Sequence, residues 1–274
     1  MLSLCSIFNE WIYCSNINMF KYFRVIFGIY LFWHFSNLIP YAEELFGNDM
    51  PFDPKLSPVY GLFPNILNYV NATYFIIFLT IVSIVYADGH YYKICGLILW
   101  YGWAALLNRN IFIANPGIPY VGWLLLASTL VSNKKNSKIT NKIFWFAWFL
   151  MALGYTCSGL HKFFLSPSWI DGTALLHVLE NPLARDNIIR DMVLALPPIF
   201  LKLATWFSLI LEISFLPFGT LYHTRFYFWL IYFMFHLGIM MVINFTDLTL
   251  GVLMIHIFTF DPRWIPMVTN VFNI

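Results

Sequence analysis

The sequence predicts an all-α fold: a polytopic transmembrane helical bundle of about eight spans, with short amphipathic helices in an outer loop. Three observations carry that expectation. Of 274 residues, 60% are hydrophobic and only 10% are charged, whereas roughly a quarter of a soluble domain is charged. Apolar runs recur along the chain, punctuated at Pro40, Gly89, Pro197-Pro198 and Gly219. Lysine and arginine gather in alternate connections, as the positive-inside rule requires of a chain that crosses repeatedly.

Taken in order, the expected spans lie near 20–40, 66–87, 92–108, 111–131, 142–160, 199–218, 225–243 and 245–260. A span needs about 20 mostly apolar residues, so the third is short and the last two are closely spaced. With both termini cytoplasmic, the inner segments hold Lys21, Arg24, Lys93, Lys134, Lys135, Lys138, Lys142, Arg225 and Arg263. The outer loops then hold Glu43, Glu44, Asp49 and Asp53, followed by Asp171, Glu180, Asp186 and Asp191. The lysine-rich loop NKKNSKITNK must face inward.

One membrane domain is expected over 1–274, with no soluble domain. No cleaved signal peptide is expected, because the start carries Glu10 and no basic n-region. A net charge of +2, without basic clusters interleaved with aromatics, argues against a nucleic-acid partner. The lipid bilayer is the partner that the composition demands. Cys5, Cys14, Cys95 and Cys157 show neither CxxC nor metal spacing, so no metal site is expected. Cys95 and Cys157 read as small apolar filler, and a Cys5–Cys14 disulfide stays open.

The densest run of ionisable groups is GYTCSGLHKFFLSPSWIDGTALLHVLENPLARDN, residues 154–187, which leads into the long outer loop. Within residues 161–198, Asp171 is placed to cap a helix with Ala174, Leu175, Val178 and Leu179 on one face, and His177 and Glu180 opposite. The stretch NIIRDMVLALPP sets Ile188, Ile189, Met192, Val193 and Leu196 against Arg190 and Asp191. Two amphipathic helices at the interface, roofing a cavity, fit this pattern. Arg185, Asp186, Arg190 and Asp191 read as a solvated face with local ion pairs, and Trp169 as an interface anchor or a pocket wall. Lys162 either snorkels to the interface or sits under the hairpin, where desolvation favours the neutral amine and makes it a general base.

Glu212, His236, His34 and His256 fall inside predicted spans, where ionisable groups are costly. They read either as proton-relay or ligand-contacting groups, or as hydrogen bonds between helices. Lys162 is expected near the outer surface and Glu212 deeper toward the inside. Arg109, Asn110 and Asn115 open the fourth span as polar cavity lining, or, at Asn115-Pro116-Gly117, as a helix break.

The pattern SGLHKFFLSPSWIDGTAL resembles the signature of the vitamin K-dependent gamma-carboxylase-like membrane domain, also called the horizontally transferred transmembrane (HTTM) domain. Supporting matches are RVIFGIYLFWHFSNL, ANPGIPYVGWLLLA, the Glu212-bearing sixth span and FHLGIMMVINF. The short form is similar to bacterial members, including the sporulation-delaying protein B group, which implies a bacterial inner membrane. The resemblance implies that Lys162 is the base that deprotonates a reduced, vitamin K-like quinone. His161, Trp169, Asp171, Arg109, Asn110, Glu212 and His236 would line the pocket. In the carboxylase, a histidine lies near the start of the fourth span, where this chain reads NRNIFIANPG. The function so implied is a quinol- or lipid-dependent membrane enzyme. The alternative is a non-catalytic accessory protein for maturation or export of a peptide partner. A transporter is disfavoured, since no inverted repeat is visible.

Overall fold

The computed structural model describes residues 17–48, 65–131 and 138–265. The Cys5–Cys14 pairing, Asp49, Asp53, Lys134 and Lys135 lie outside the described residues. Described helices stand at all eight expected positions, and no strand occurs among the described residues. Four helical stretches are long and apolar enough to cross a membrane: Met19–Phe46, Lys138–Leu165, Pro198–Gly219 and Tyr222–Val242. Ala72–Asp88, Gly117–Leu130 and Thr246–Phe258 are apolar but shorter. The outward faces are apolar too, with Ile29, Ile81, Ile94, Phe207 and Ile210 all more than half exposed. A helix in water would turn a polar face outward, so this chain is built as a helical membrane protein.

The chain folds into two compact units, Ser15–Ile143 with Leu250–Met254, and Phe144–Thr249 with the segment from Ile255 onward. The first contains α1 (Ile17–Leu38), α2 (Ala42–Phe46), α3 (Ala72–Asp88), α4 (Tyr92–Arg109) and α5 (Gly117–Leu130). On α1, Phe20, Phe23, Phe27, Leu31 and Phe35 recur every three or four residues and are buried. The α1–α3 contact is close because Gly28 has no side chain: a Cβ there would lie 2.6 Å from that of Ala87. Asn71 caps α3 by accepting from the Tyr74 N–H, at 3.2 Å. Gly89 ends α3 at φ +98°, where the Arg24 guanidinium lies in the space of any Cβ.

Arg109 and Asn110 were expected as cavity lining, and here they latch the loop after α2. The Arg109 guanidinium donates to Phe46 O at 3.1 Å, Gly47 O at 2.8 Å, Asn48 Oδ1 at 3.0 Å and Asn68 Oδ1 at 3.1 Å. Asn110 donates to Leu45 O and caps the turn at Phe112. Asn115 breaks the chain before α5, its Oδ1 accepting from Gly117 N at 2.8 Å.

The second unit contains α6 (Lys138–Leu165) from Phe144 onward, α7 (Pro167–Ile170), α8 (Ala174–Glu180), α9 (Ile188–Leu194), α10 (Pro198–Ser214), α11 (Tyr222–Val242) and both ends of α12 (Thr246–Phe258). α10 runs on into a π-helical turn, Phe215–Gly219. Pro217 accounts for that turn. It has no N–H to donate, and its ring would clash with the Ile213 carbonyl in a regular α-helix. Thr156 of α6 repairs the ladder, since its hydroxyl reaches Glu212 O and Ile213 O and accepts from Leu216 N at 2.9 Å.

The long loop forms the two expected short helices, but two details differ. Thr173, not Asp171, stands at the N-cap of α8, and Asp171 Oδ1 instead accepts from Thr173 N and Oγ1. Asp186 and Asp191 are exposed and pair locally with Arg190, at 3.8 and 3.7 Å, as expected, but the two arginines also reach inward. Arg185 donates to Met240 O, Ile243 O and Thr246 Oγ1, pinning the loop to the α11–α12 junction. Arg190 turns inward to Leu179 O at 2.6 Å, while Ile188, Met192 and Leu196 of the same stretch are exposed. Cys157, read as buried filler, is exposed, whereas Cys95 is buried.

Replacing Arg109 by Met strands four acceptors that a charged donor now satisfies. The expected cost is about 3 kcal/mol in unfolding free energy, measured by reversible denaturation in mixed micelles. An unchanged free energy would remove the clamp from the stability argument.

Candidate functional site

Lys162 and Glu212 meet inside the second unit. Lys162 Nζ donates to Glu212 Oε1 at 2.5 Å. The lysine side chain keeps 25% of its exposure and the glutamate 4%. Lys162 Nζ also lies 4.3 Å from the centre of the Trp169 ring, a cation–π contact. Neither sequence reading of the lysine holds unchanged. It does not snorkel free, and its desolvation is offset by a carboxylate.

The two residues meet because the loop folds back beside α10. Trp206 Nε1 donates to Ile170 O at 2.9 Å, and Gly172, at φ +84°, fits against Lys202 and Trp206. α10 therefore begins well beyond the end of α6. Glu212 is fourteen residues past Pro198, about 21 Å along the helix at 1.5 Å per residue. Lys162 shares that level rather than lying near the α10 start, so the expected separation in depth between the two does not exist.

Close approach of α6 and α10 depends on Gly159. A Cβ there would sit 2.8 Å from Glu212 Cβ and 2.8 Å from the Ile213 backbone nitrogen. Small residues at such contacts let membrane helices approach closely.

Tyr155, one turn before Gly159, carries the site further. Its hydroxyl lies 2.6 Å from His236 Nε2 and 3.4 Å from His256 Nε2. Its ring stacks on Phe215 at 5.0 Å and packs against Tyr232 at 4.1 Å. Glu212, Tyr232 and His236 are all buried, and Glu212 Oε2, Tyr232 Oη and His236 Nδ1 have no hydrogen-bond partner among the described residues. Burying such atoms unpartnered is costly, so they mark polar chemistry rather than packing.

Of the residues expected at the site, Lys162, Trp169, Glu212 and His236 belong to this cluster. His161 is exposed beside it. Asp171 lies in the adjoining turn, where the Thr173 hydroxyl and then its backbone N–H hold the carboxyl below the usual carboxylate range. Arg109 and Asn110 belong to the first unit, as does His34, which packs 4.5 Å from the Trp103 ring. Tyr155, Gly159 and Tyr232 were missed. The i, i+4, i+7 spacing of Tyr155, Gly159 and Lys162, and the i, i+4 spacing of Tyr232 and His236, were the available signals.

Fold and site together define a helical membrane protein with an acid–base pair set into its helix packing. No family model, curated protein or solved structure matches this chain.

Gly159→Ala forces α6 and α10 apart against backbone, and overpacking of this kind costs about 1–3 kcal/mol. The variant should unfold at lower denaturant than wild type and show a longer Lys162–Glu212 distance in a structure. Wild-type stability would contradict the close contact. Asp171 gives a pH test. Its folded-state affinity for protons is lowered, so its contribution is complete above the unfolded carboxylate value of about 3.9 and disappears as pH falls through the lower folded value. Amide protection factors over 173–180, which remove the intrinsic pH dependence of exchange, should be level above that range and fall below it, and Asp171→Asn should abolish the transition.

Proposed function

We propose that this chain is a multi-pass membrane enzyme of the HTTM, gamma-carboxylase-like kind, with both termini cytoplasmic and Lys162 as its general base. The part-buried ion pair between Lys162 and Glu212 carries this reading. An ion pair is weak evidence for stability, since the cost of desolvating both charges can exceed their attraction. An ionisable group within a membrane protein is a functional candidate for the same reason. The lysine-rich loop between α5 and α6 supports the cytoplasmic assignment of the termini.

A ligand from the lipid phase has a route to the amine. Lys162 is the exposed member of the pair, and Leu160, Phe163, Phe164 and Leu165 around it are exposed and apolar. A reduced quinone fits these residues: Trp169 offers an aromatic face, and an Nζ–H not used by Glu212 can take a phenolic oxygen. Such a quinone would supply an acidic hydroxyl and a ring that can be oxidised.

The chain's own residues do the rest. Glu212 orients the amine and holds its charge. For Lys162 to act as a base, one proton must first leave its amine. Transfer from Nζ to Glu212 Oε1 does this without separating charge, converting ammonium and carboxylate into amine and carboxylic acid. Trp169 and the apolar helix ends limit water at the amine.

The test is what the purified protein carries. Lipid extracts from wild type in native nanodiscs, examined by mass spectrometry, should contain a quinone. Lys162→Ala, compared at equal helicity and monodispersity, should retain at least tenfold less. Equal retention, or no quinone in either sample, rejects the reading. Copurification of a peptide that is indifferent to Lys162 would point to the accessory role instead.

A further inference from the structure

The hydrogen-bonding parity at Tyr155 has a chemical consequence. A tyrosine hydroxyl has one proton, and two imidazole Nε2 atoms face this one, at 2.6 and 3.4 Å. It can donate to only one of them, so the other must be protonated and donate to it. Two proton arrangements satisfy this geometry. In the first, His256 Nε2–H donates to Tyr155 and Tyr155 donates to His236, whose own proton is then on Nδ1. In the second, His236 Nε2–H donates to Tyr155, Tyr155 donates to His256, and His236 Nδ1 is bare. The two interconvert when a proton enters at the Nδ1 of one histidine, one proton moves at each link, and a proton leaves from the Nδ1 of the other.

We propose that His236, Tyr155 and His256 form a proton relay that reaches the Lys162–Glu212 pair through a water molecule held by His236 Nδ1, Tyr232 Oη and Glu212 Oε2. Those three atoms are buried, and none has a hydrogen-bond partner among the described residues. Glu212, Tyr232 and His236 are 3%, 2% and 6% exposed. Tyr232 and His236 stand one turn apart on a single face of α11. The Tyr155 ring packs against both the Tyr232 ring, at 4.1 Å, and the His236 ring, at 5.8 Å, and Gly159 one turn further along the same helix abuts Glu212. One carboxylate acceptor, one hydroxyl and one imidazole nitrogen supply the two to four partners that a buried water requires.

The step balances. A proton on Lys162 Nζ passes to Glu212 Oε1, the carboxyl group then turns about its Cγ–Cδ bond so that the protonated oxygen takes the buried position of Oε2, and it reforms the carboxylate by giving that proton to the water. The water gives one of its protons to His236 Nδ1. His236 Nε2–H passes its proton to Tyr155 Oη, and Tyr155 passes its own to His256 Nε2. Lysine ends as the free amine and His256 as the imidazolium, with no net charge made or lost. The inference rests on the reading of Lys162 as a base, because it supplies that base's means of losing a proton.

His256 is completely buried, so exchange of its ring proton with solvent reports the relay without any ligand. The experiment is nitrogen-15 histidine NMR on the full chain in lipid bilayers, transferred from H2O into D2O. In wild type the His256 ring proton should exchange readily. Tyr155→Phe, which keeps the ring stacked on Phe215, should slow it at least tenfold. Glu212→Gln should slow it as well. His236→Gln, which offers Tyr155 a hydrogen bond but cannot take a proton on one atom while releasing one from another, gives a second variant should Tyr155→Phe fold poorly. An unchanged rate overturns the relay. So does a faster one, because exchange by local opening accelerates when packing is weakened. Quinone retention is a separate measurement, so failure of the base and failure of the relay are distinguishable.

Discussion

The constraint on which the second unit depends is a pair of charges with little water around them. Moving a carboxylate- or ammonium-sized ion into a low-dielectric interior costs several kcal/mol even after relaxation, and only close pairing offsets that. Lys162 Nζ and Glu212 Oε1 meet that requirement, in direct charge-assisted hydrogen-bond contact. The penalty is asymmetric. Removing one partner leaves a buried charge uncompensated, at about 3–5 kcal/mol, whereas an apolar pair of similar shape would serve packing equally well. A bundle concerned only with stability would have no reason to keep these two residues.

Holding that contact requires two departures from regular helix packing, both visible in local chemistry. Gly159 removes the side chain that would separate α6 from α10. Pro217 unwinds α10 into a π turn, and Thr156 satisfies the backbone groups this frees. Thr156, Gly159 and Lys162 occur within two turns of one helix, so the same strip of α6 sets helix spacing, repairs the proline defect and presents the amine. Tyr155, next to Thr156, extends the strip to the two histidines. A substitution anywhere along it propagates to the ion pair through helix geometry, without touching either charge.

How much of this was legible depended on whether a signal was periodic or relational. Composition and apolar runs located every long helix, because bilayer thickness and the 1.5 Å rise set a length that the chain must show. Lys162, Glu212 and Trp169 stood out singly as ionisable or amphipathic residues in apolar surroundings. That Lys162 and Glu212 meet was not legible, since it depends on the fold-back after Leu165 that sets α6 and α10 out of step. Arg109 and Arg185 misled for a related reason. A charge in a loop next to a span looks available in sequence, and only the folded chain reveals the carbonyls that claim it.

Donor saturation separates the two uses of positive charge here. Arg109 spends its guanidinium on four neutral oxygens, and Arg185 spends its own on two carbonyls and a hydroxyl. Both fix loops, with the planar fork matched to divergent backbone acceptors. Lys162 has one oxygen and one aromatic face, and retains exposure that Arg109 lacks. An ammonium with three donors and a single acceptor is under-used as a structural tie. Its carboxylate partner is likewise half-used, with Oε2 turned to the buried side of the cluster. The pair therefore has two open sides of different character: a part-exposed amine next to the exposed rings of Phe163 and Phe164, and a buried carboxylate oxygen with no partner among the described residues. A tie that is complete, as at Arg109, has no such sides.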